Sequence, residues 1–200
     1  MVIPPAYSLQ GVGFETYTGD GPISYWNSYV GVTQMGGQGS FSDPLIGVAV
    51  EQKPDRVTPK LEALLAYQLS LIAPPPPPGT VDAVAAARGR TLFNDPALGP
   101  GRCARCHIPP TYTDVSSGPD PTVPLLHSAT EVGADAEYLL RSATKGYRTT
   151  PLRGLWQHAP YFHDGRANDL EAVVDHYDTF FSIGLSTEQK ADLVAFLRTL

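Results

Sequence analysis

The sequence predicts a mainly α-helical protein, and three observations favour that fold class. Apolar residues recur with a period of about 3.6 in the middle and at the end of the chain, as on one face of a helix. Residues that cap helices stand directly before these stretches. The 20 prolines and 19 glycines in 200 residues predict long ordered loops between short helices rather than a large sheet.

Charge and hydropathy argue against two kinds of partner. The net charge is -6, and no basic stripe is present to meet a phosphate backbone, so nucleic acid is not expected to bind. No run of residues approaches the ~18 apolar residues of a membrane span. The opening MVIPPAYSLQ lacks the basic start and apolar middle of a signal peptide.

The chain divides at an oligoproline. Pro74–Pro78 should form a stiff, extended polyproline segment. We therefore predict three parts: a first unit at residues 1–73, a linker at 74–80 and a second unit at 81–200. A spacer between two packed units is the interpretation that this composition favours.

Two helices are predicted in the second unit before its end. Asp82 caps the first, in which Gly89 and Phe93 lie four residues apart on one face. Asn168 or Asp169 caps the second. Its inward stripe consists of Leu170, Val173, Val174 and Tyr177.

Two further helices resemble one another. In the final helix, Ser186 and Gln189 have the spacing of a capping box. In the first unit, Thr58 caps a similar helix, with Pro59 at its first position. The predicted stripes are Leu193, Val194, Leu197 and Leu200 in the final helix, and Leu61, Leu65, Leu69 and Ile72 in the earlier one.

The first unit repeats the end of the second. Residues 5–21 parallel residues 150–165, since each stretch has a proline-led turn, a glycine, an apolar pair and a Tyr-x-x-Asp-Gly ending. Only the second copy is preceded by a helix and a cysteine pair. Residues 1–73 are therefore predicted to be the back half of a domain. Its front half was lost in evolution, or this sequence is a fragment.

The stretch GRCARCHIPP contains both cysteines of the chain, Cys103 and Cys106, with His107 directly after them. Three chemistries suit such a turn. Two thiols three apart can bind the vinyl groups of one haem, and the following imidazole then lies under the iron. A zinc site would need two further ligands, for which His158 and His163 are the available pair.

The third chemistry is a dithiol–disulfide centre, which should follow a strand and open a helix. Here the motif follows an alanine-rich helix and a Pro/Gly loop. The context favours haem.

The order of helix, Cys-x-x-Cys-His, long loop and terminal helix resembles cytochrome c. More narrowly, Thr150–Arg153, Ala159–Gly165 and the Leu-Glu-x-x-Val helix after them resemble the C-terminal haem domain of the bacterial di-haem cytochrome c peroxidase and MauG family. The resemblance covers about residues 80–200. It implies a cytochrome c-like helical haem domain with long Pro/Gly-rich loops, preceded by a partial second unit that lacks its own Cys-x-x-Cys-His.

The resemblance also implies the haem ligands. Cys103 and Cys106 would anchor one covalent haem c, and His107 would be the proximal iron ligand. A backbone carbonyl near Ile108–Pro110 is expected to fix the His107 tautomer. Tyr177 matches the family's distal ligand position, and the alternative is a core tyrosine with a hydrogen-bonded hydroxyl.

If Tyr177 does not bind, the iron would be five-coordinate or take another side chain. The candidates are His127, His163 and His176.

Other roles implied by the resemblance concern the haem surroundings. Arg153 would pair with a haem propionate or brace a loop, and Trp156 would lie at the haem edge or in the core. Met35 falls near the family's axial methionine position in the first unit, or fills a gap in a loop. Carbonyls of His158–Pro160 would help to hold a calcium ion.

The leading functional hypothesis is single-electron transfer by one haem c, with a redox partner protein or a small electron donor or acceptor. The alternative is a peroxidase-like or MauG-like haem oxidoreductase that reacts with hydrogen peroxide, and the sequence leaves the enzyme question open. In the family, peroxide reacts at the N-terminal haem, for which residues 1–73 carry no motif. A third, non-redox hypothesis is a haem-sensing or structural module.

The resemblance implies a periplasmic or otherwise extracytoplasmic protein. The missing signal peptide would then reflect a removed leader or a truncated sequence.

Overall fold

The computed structural model describes residues 6–200, and helices are its predominant regular structure. The start of the stretch examined for a signal peptide, and Pro5 at the start of the proposed repeat, lie outside these residues. The helices within residues 6–200 are α1 (Ile23–Tyr29), α2 (Thr58–Ser70), α3 (Ala83–Phe93), α4 (Ala129–Val132), α5 (Glu137–Leu140), α6 (Leu170–Phe181) and α7 (Thr187–Leu197). The mainly α class is confirmed.

Helices α3 and α7 form the centre of the second unit. The Asp82 carboxylate caps α3 by accepting the N–H groups of Val84 and Ala85. Ser186 and Gln189 form the predicted capping box of α7. Both caps satisfy amide groups that have no partner within a helix, and both predictions are confirmed.

The core of this unit lies between α3, α6 and α7. Phe93 and Phe196 meet edge to face with ring centroids 5.2 Å apart. Asp169 caps α6 by accepting the N–H of Ala172. The other buried members of this core are Leu155, Leu170, Val174, Leu193, Val194 and Leu197. The stripes predicted for α6 and α7 therefore face the interior.

Residues 6–73, the predicted first unit, contain α1, a π-helical turn at Val30–Gln34, a hairpin and α2. Strands β1 (Phe41–Asp43) and β2 (Val48–Val50) are antiparallel, with Phe41 opposite Val50. Helix α1 packs on α2, and the side-chain amides of Asn27 and Gln68 exchange two hydrogen bonds there.

Two details of α2 differ from the prediction. Thr58 is the first helical residue rather than the cap, because the Asp55 carboxylate accepts the N–H groups of Val57 and Thr58. Ile72 is 85% exposed, since the helix ends at Ser70 and the chain leaves the core as an extended segment.

The two predicted units contact each other directly. Arg148 of the second unit is buried, and its Nη1 donates to the carbonyl of Phe14 and pairs with Glu15 Oε2 at 3.2 Å. The Ser116 hydroxyl donates to the carbonyl of Val12. Residues 74–77 have neither helix nor strand between the units. In the part of the chain that the structure covers, no helix has the length and apolar character needed to cross a membrane.

Candidate functional site

The Cys-x-x-Cys-His stretch folds as a tight turn. Cys103–Arg105 form a single 3-10 turn, and the His107 N–H donates to the carbonyl of Cys103, which closes the turn at His107. Both cysteines are free thiols. Burial raises the pKa of Cys103 and of Cys106 to about 11. A dithiol redox centre needs a thiolate with a lowered pKa, so this environment does not suit one.

The orientation of His107 is fixed by the backbone. Its Nδ1 lies 2.9 Å from the carbonyl oxygen of Tyr112. We predicted a carbonyl of Ile108–Pro110. The carbonyl belongs instead to Tyr112, because a turn closed by the Tyr112 N–H and the Ile108 carbonyl returns the chain to the ring.

Burial lowers the pKa of His107, although the carbonyls of Tyr112 and Thr150 oppose the shift. A neutral imidazole that donates from Nδ1 presents the lone pair of Nε2, which is the form that binds a metal.

Tyr177 lies on the inward side of α6. Burial raises its pKa to about 12, and the two nearby thiols of Cys103 and Cys106 act in the same direction. Its ring stacks on Phe181 with centroids 6.1 Å apart. Because both thiols act on its charge, Tyr177 lies near the cysteine turn.

A buried polar cluster beside Cys106 was not predicted. The Asp114 carboxylate accepts from His127 Nε2 at 2.9 Å, and His127 Nδ1 pairs with Glu131 Oε1 at 3.1 Å. Ligand-type atoms of Cys106, Asp114 and His127 lie within 4.8 Å of one another. Asp114 Oδ1 is buried without a hydrogen-bond partner. A lone aspartate in a Thr/Ser loop gives no sequence signal for such a cluster.

The cluster gives its two buried members opposite pKa shifts. The hydrogen bond to Asp114 raises the pKa of His127, and the contact with Glu131 adds to it. For Asp114, burial favours a higher pKa, but hydrogen bonds from His127 and Thr149 outweigh it and lower the pKa. Because both ring nitrogens of His127 contact carboxylates, this histidine is a poor candidate for a distal iron ligand.

The other two candidate histidines lie in aromatic surroundings. His163 stacks on Tyr17, with ring centroids 5.0 Å apart. His176 stacks over Phe180, and its Nε2 is buried without a hydrogen-bond partner. Neither joins the cysteines in a group of possible metal ligands among residues 6–200.

A Cys₂His₂ zinc site is therefore not assembled by the described residues. His158 belongs to another contact, since its Nε2 lies 2.5 Å from the Tyr7 hydroxyl. The cluster at Cys106 contains only one of the two cysteines, and a structural zinc site normally has four ligands.

The remaining predicted residues lie around the turn and the linker. Arg153 Nη2 donates to the carbonyl of Pro110, so this arginine braces the loop after the motif. The Trp156 indole donates to the carbonyl of Pro74 at 3.2 Å. Met35 is 78% exposed on the first unit. The haem contacts of Arg153 and Trp156, and calcium near His158–Pro160, stay predictions.

The donor set fits a covalently held haem. Two free thiols stand three residues apart, the next residue is an imidazole with Nδ1 already engaged, and Tyr177 lies near both thiols. Thiols for vinyl groups and an imidazole for iron are what haem c attachment requires. The helical fold and this turn together have the form of a c-type cytochrome.

Comparison with curated proteins gives a more particular result. The chain is 33% identical over 128 residues to the methylamine utilization protein MauG of Methylorubrum extorquens, covering 58% of this chain and 34% of that protein. It is 27% identical over 157 residues to MauG of Methylophilus methylotrophus, covering 70% of this chain and 45% of that protein. The predicted resemblance to MauG is confirmed.

The chain spans between a third and half of the length of these relatives. No family model matches it. Among solved structures, hydrazine synthase of Kuenenia stuttgartiensis aligns with a TM-score of 0.46 and 26% identity, over 76% of this chain and 57% of that one.

Proposed function

We propose that this protein binds one covalent haem c and transfers single electrons. Cys103 and Cys106 are the anchors, and His107 is the proximal ligand. The observation that carries the proposal is the contact of His107 Nδ1 with the Tyr112 carbonyl, which would leave Nε2 for iron directly after a pair of free cysteines. A haem bound in this way supplies a one-electron ferric/ferrous couple.

Tyr177 is the proposed distal ligand. Its hydroxyl keeps its proton at neutral pH in the protein alone, because burial and the two thiols raise its pKa. Binding to iron would require that proton to leave. A bound tyrosinate is anionic and so favours the ferric state, which lowers the reduction potential.

The second candidate function is a peroxidase-like oxidoreductase. It is favoured by the similarity to MauG. If Tyr177 did not bind, a haem held by His107 would have a position that could take peroxide. We place either activity in the periplasm or another extracytoplasmic compartment, with a redox partner protein or a small donor or acceptor.

The test is absorption spectroscopy of the chain produced with a cytochrome c maturation system. We expect one haem per chain, retained after denaturation, and lost in a Cys103→Ser/Cys106→Ser double variant. A low-spin ferric spectrum that peroxide and cyanide leave unchanged supports electron transfer. Conversion of a high-spin spectrum by peroxide instead supports the oxidoreductase, and absence of covalent haem overturns both.

A further inference from the structure

Two loops of the chain have the same backbone conformation. In the first unit, Glu15 and Gly21 form an antiparallel bridge, and in the second unit Tyr161 and Ala167 form one with the same separation. The residue after each first bridge partner has a positive φ although it is not glycine. These residues are Thr16 (φ 65) and Phe162 (φ 64), and Gly19 and Gly165 follow three positions later with φ 62 and 76.

The ends of the two long helices are held in the same way. The Ser8 N–H donates to the carbonyl of Leu71 after α2, and the Gly154 N–H donates to the carbonyl of Leu200 after α7. Ser8 and Gly154 both have positive φ, of 56 and 64. Each helix also begins at a threonine thirteen residues before that carbonyl. Helix α2 therefore corresponds to α7, residue by residue.

This correspondence shows that α2 lacks a helix packed against the face that α7 uses to bind α3. Counting back from Leu71 and Leu200, Leu64 matches Leu193 and Tyr67 matches Phe196. In α7 these residues are 3% and 4% exposed, because α3 crosses over them. In α2 their counterparts are 41% and 63% exposed. The face that α7 uses to bind α3 is uncovered on α2.

The opposite side of α2 is occupied. Leu61, Leu65 and Gln68 are half-buried, and Gln68 is paired with Asn27 of α1. Lys60, Ala63, Leu64 and Tyr67 follow the i, i+3, i+4, i+7 spacing of one helical stripe and are all exposed. We call these four residues the α2 outer face.

We propose that the α2 outer face is a docking site for a helix of the α3 type, contributed by the front half of another cytochrome c-like unit. The α3–α7 pair defines its chemistry. Such a helix has a glycine at the crossing, as at Gly89, and an aromatic residue four positions later, as at Phe93. The glycine is needed because a Cβ at position 89 would overlap the backbone oxygen of Asp192.

One feature distinguishes the partner of α2 from α3 itself. In α3, the Arg88 guanidinium forms a bidentate ion pair with the Asp192 carboxylate. The α2 residue that corresponds to Asp192 is Ala63. The partner helix therefore needs no arginine before its glycine. The matched relatives are far longer than the aligned part, so related proteins have further chain that can supply such a helix.

The test uses the full chain and a synthetic peptide with the sequence of residues 81–94. The peptide carries Arg88→Ala, so that it suits Ala63 rather than Asp192, and a photoreactive benzophenone side chain in place of Phe93. A short isolated helix is marginal in water, so the peptide is used at about millimolar concentration. After irradiation, mass spectrometry locates the cross-link.

We expect cross-links to Ala63–Tyr67. Tyr67→Glu should abolish them, whereas Ala66→Glu, on another exposed position of the same helix, should leave them in place. A peptide that also carries Gly89→Leu should not cross-link, because the larger side chain prevents the close crossing. Thermal melts of the chain variants show whether they fold alike.

Three results would overturn the proposal: cross-links to α7, no cross-link at α2, or a dimer of the chain formed through the α2 outer face. The assay reads no haem signal. A failed cross-linking experiment would therefore leave the proposed haem function standing. Absence of covalent haem would likewise leave the docking proposal standing.

Discussion

Gly89 and Asp192 are in direct backbone contact where α3 crosses α7. Nothing larger than hydrogen fits on the Gly89 Cα, because a Cβ would overlap the carbonyl oxygen of Asp192 and come within 2.9 Å of the Phe196 Cβ. The Arg88–Asp192 ion pair and the Phe93–Phe196 ring contact flank this point on either side. The crossing thus fixes the distance between the first and last helices of the second unit.

Gly89→Ala should destabilise the protein. Alanine is a better helix former than glycine by about 1 kcal/mol, but the overlap with Asp192 should outweigh that gain, since overpacking costs about 1–3 kcal/mol. Urea unfolding measures the difference, with Ala87→Gly on the exposed side of α3 as a propensity control. A Gly89→Ala variant more stable than the parent would show that the helices do not cross this closely.

His127→Gln should destabilise the protein in a pH-dependent way. Because Asp114 raises the pKa of His127, this histidine contributes stability fully below its ordinary pKa of 6.5, and loses it as pH rises through the higher folded pKa. We expect a loss of about 1–3 kcal/mol at pH 5.5 and a smaller one at pH 9, from urea unfolding at both values.

His176 provides the matched control for that measurement. Burial lowers its pKa, so its contribution to stability should weaken as pH falls rather than as it rises. His127→Gln and His176→Gln should therefore show opposite pH trends. Parallel trends would mean that the Asp114–His127 pair is not formed as described.

Tyr177→Phe should change the ferric absorption spectrum and raise the reduction potential. Loss of an anionic oxygen ligand removes the stabilisation of the ferric state. Spectroelectrochemistry gives both quantities, and Tyr138→Phe, at a partly exposed position on α5, should change neither. An unaltered spectrum in the Tyr177 variant would rule out tyrosine ligation.

Arg148→Met should weaken the contact between the two units. It leaves the mostly buried Glu15 carboxylate without its partner, which costs about 3–5 kcal/mol. The double variant Glu15→Gln/Arg148→Met should lose less, because no uncompensated charge remains. Chemical unfolding of the two single variants and the double variant gives the coupling, and additive losses would argue against the ion pair.

Local signals in the sequence predicted the three longer helices of the second unit, α3, α6 and α7, well, but not the short helices α4 and α5. Asp82 and the Ser186–Gln189 box act within four residues of their partners, so their geometry follows from spacing alone. Thr58 shows the limit of such reasoning, because Asp55 lies three residues earlier and accepts the N–H of Thr58 itself. Two neighbouring capping residues cannot be ranked without the path of the loop before them.

The candidate site was only partly predictable for the same reason. Cys103, Cys106 and His107 are adjacent, so their chemistry is visible in the sequence. The Tyr112 carbonyl depends on how the following loop turns back, and the Asp114–His127 contact joins two loops thirteen residues apart. Contacts of this kind depend on the tertiary path of loops that have no periodic pattern.

The positive φ of Thr16 and Phe162 has a consequence for the comparison of residues 15–21 with residues 161–167. A residue with a side chain in this conformation costs of order 1 kcal/mol or more relative to glycine, and the two positions carry a small hydroxyl side chain and a large aromatic one. Because neither side chain explains the shared conformation, the likeness of the two stretches is clearer in their backbone dihedral angles than in their residue types.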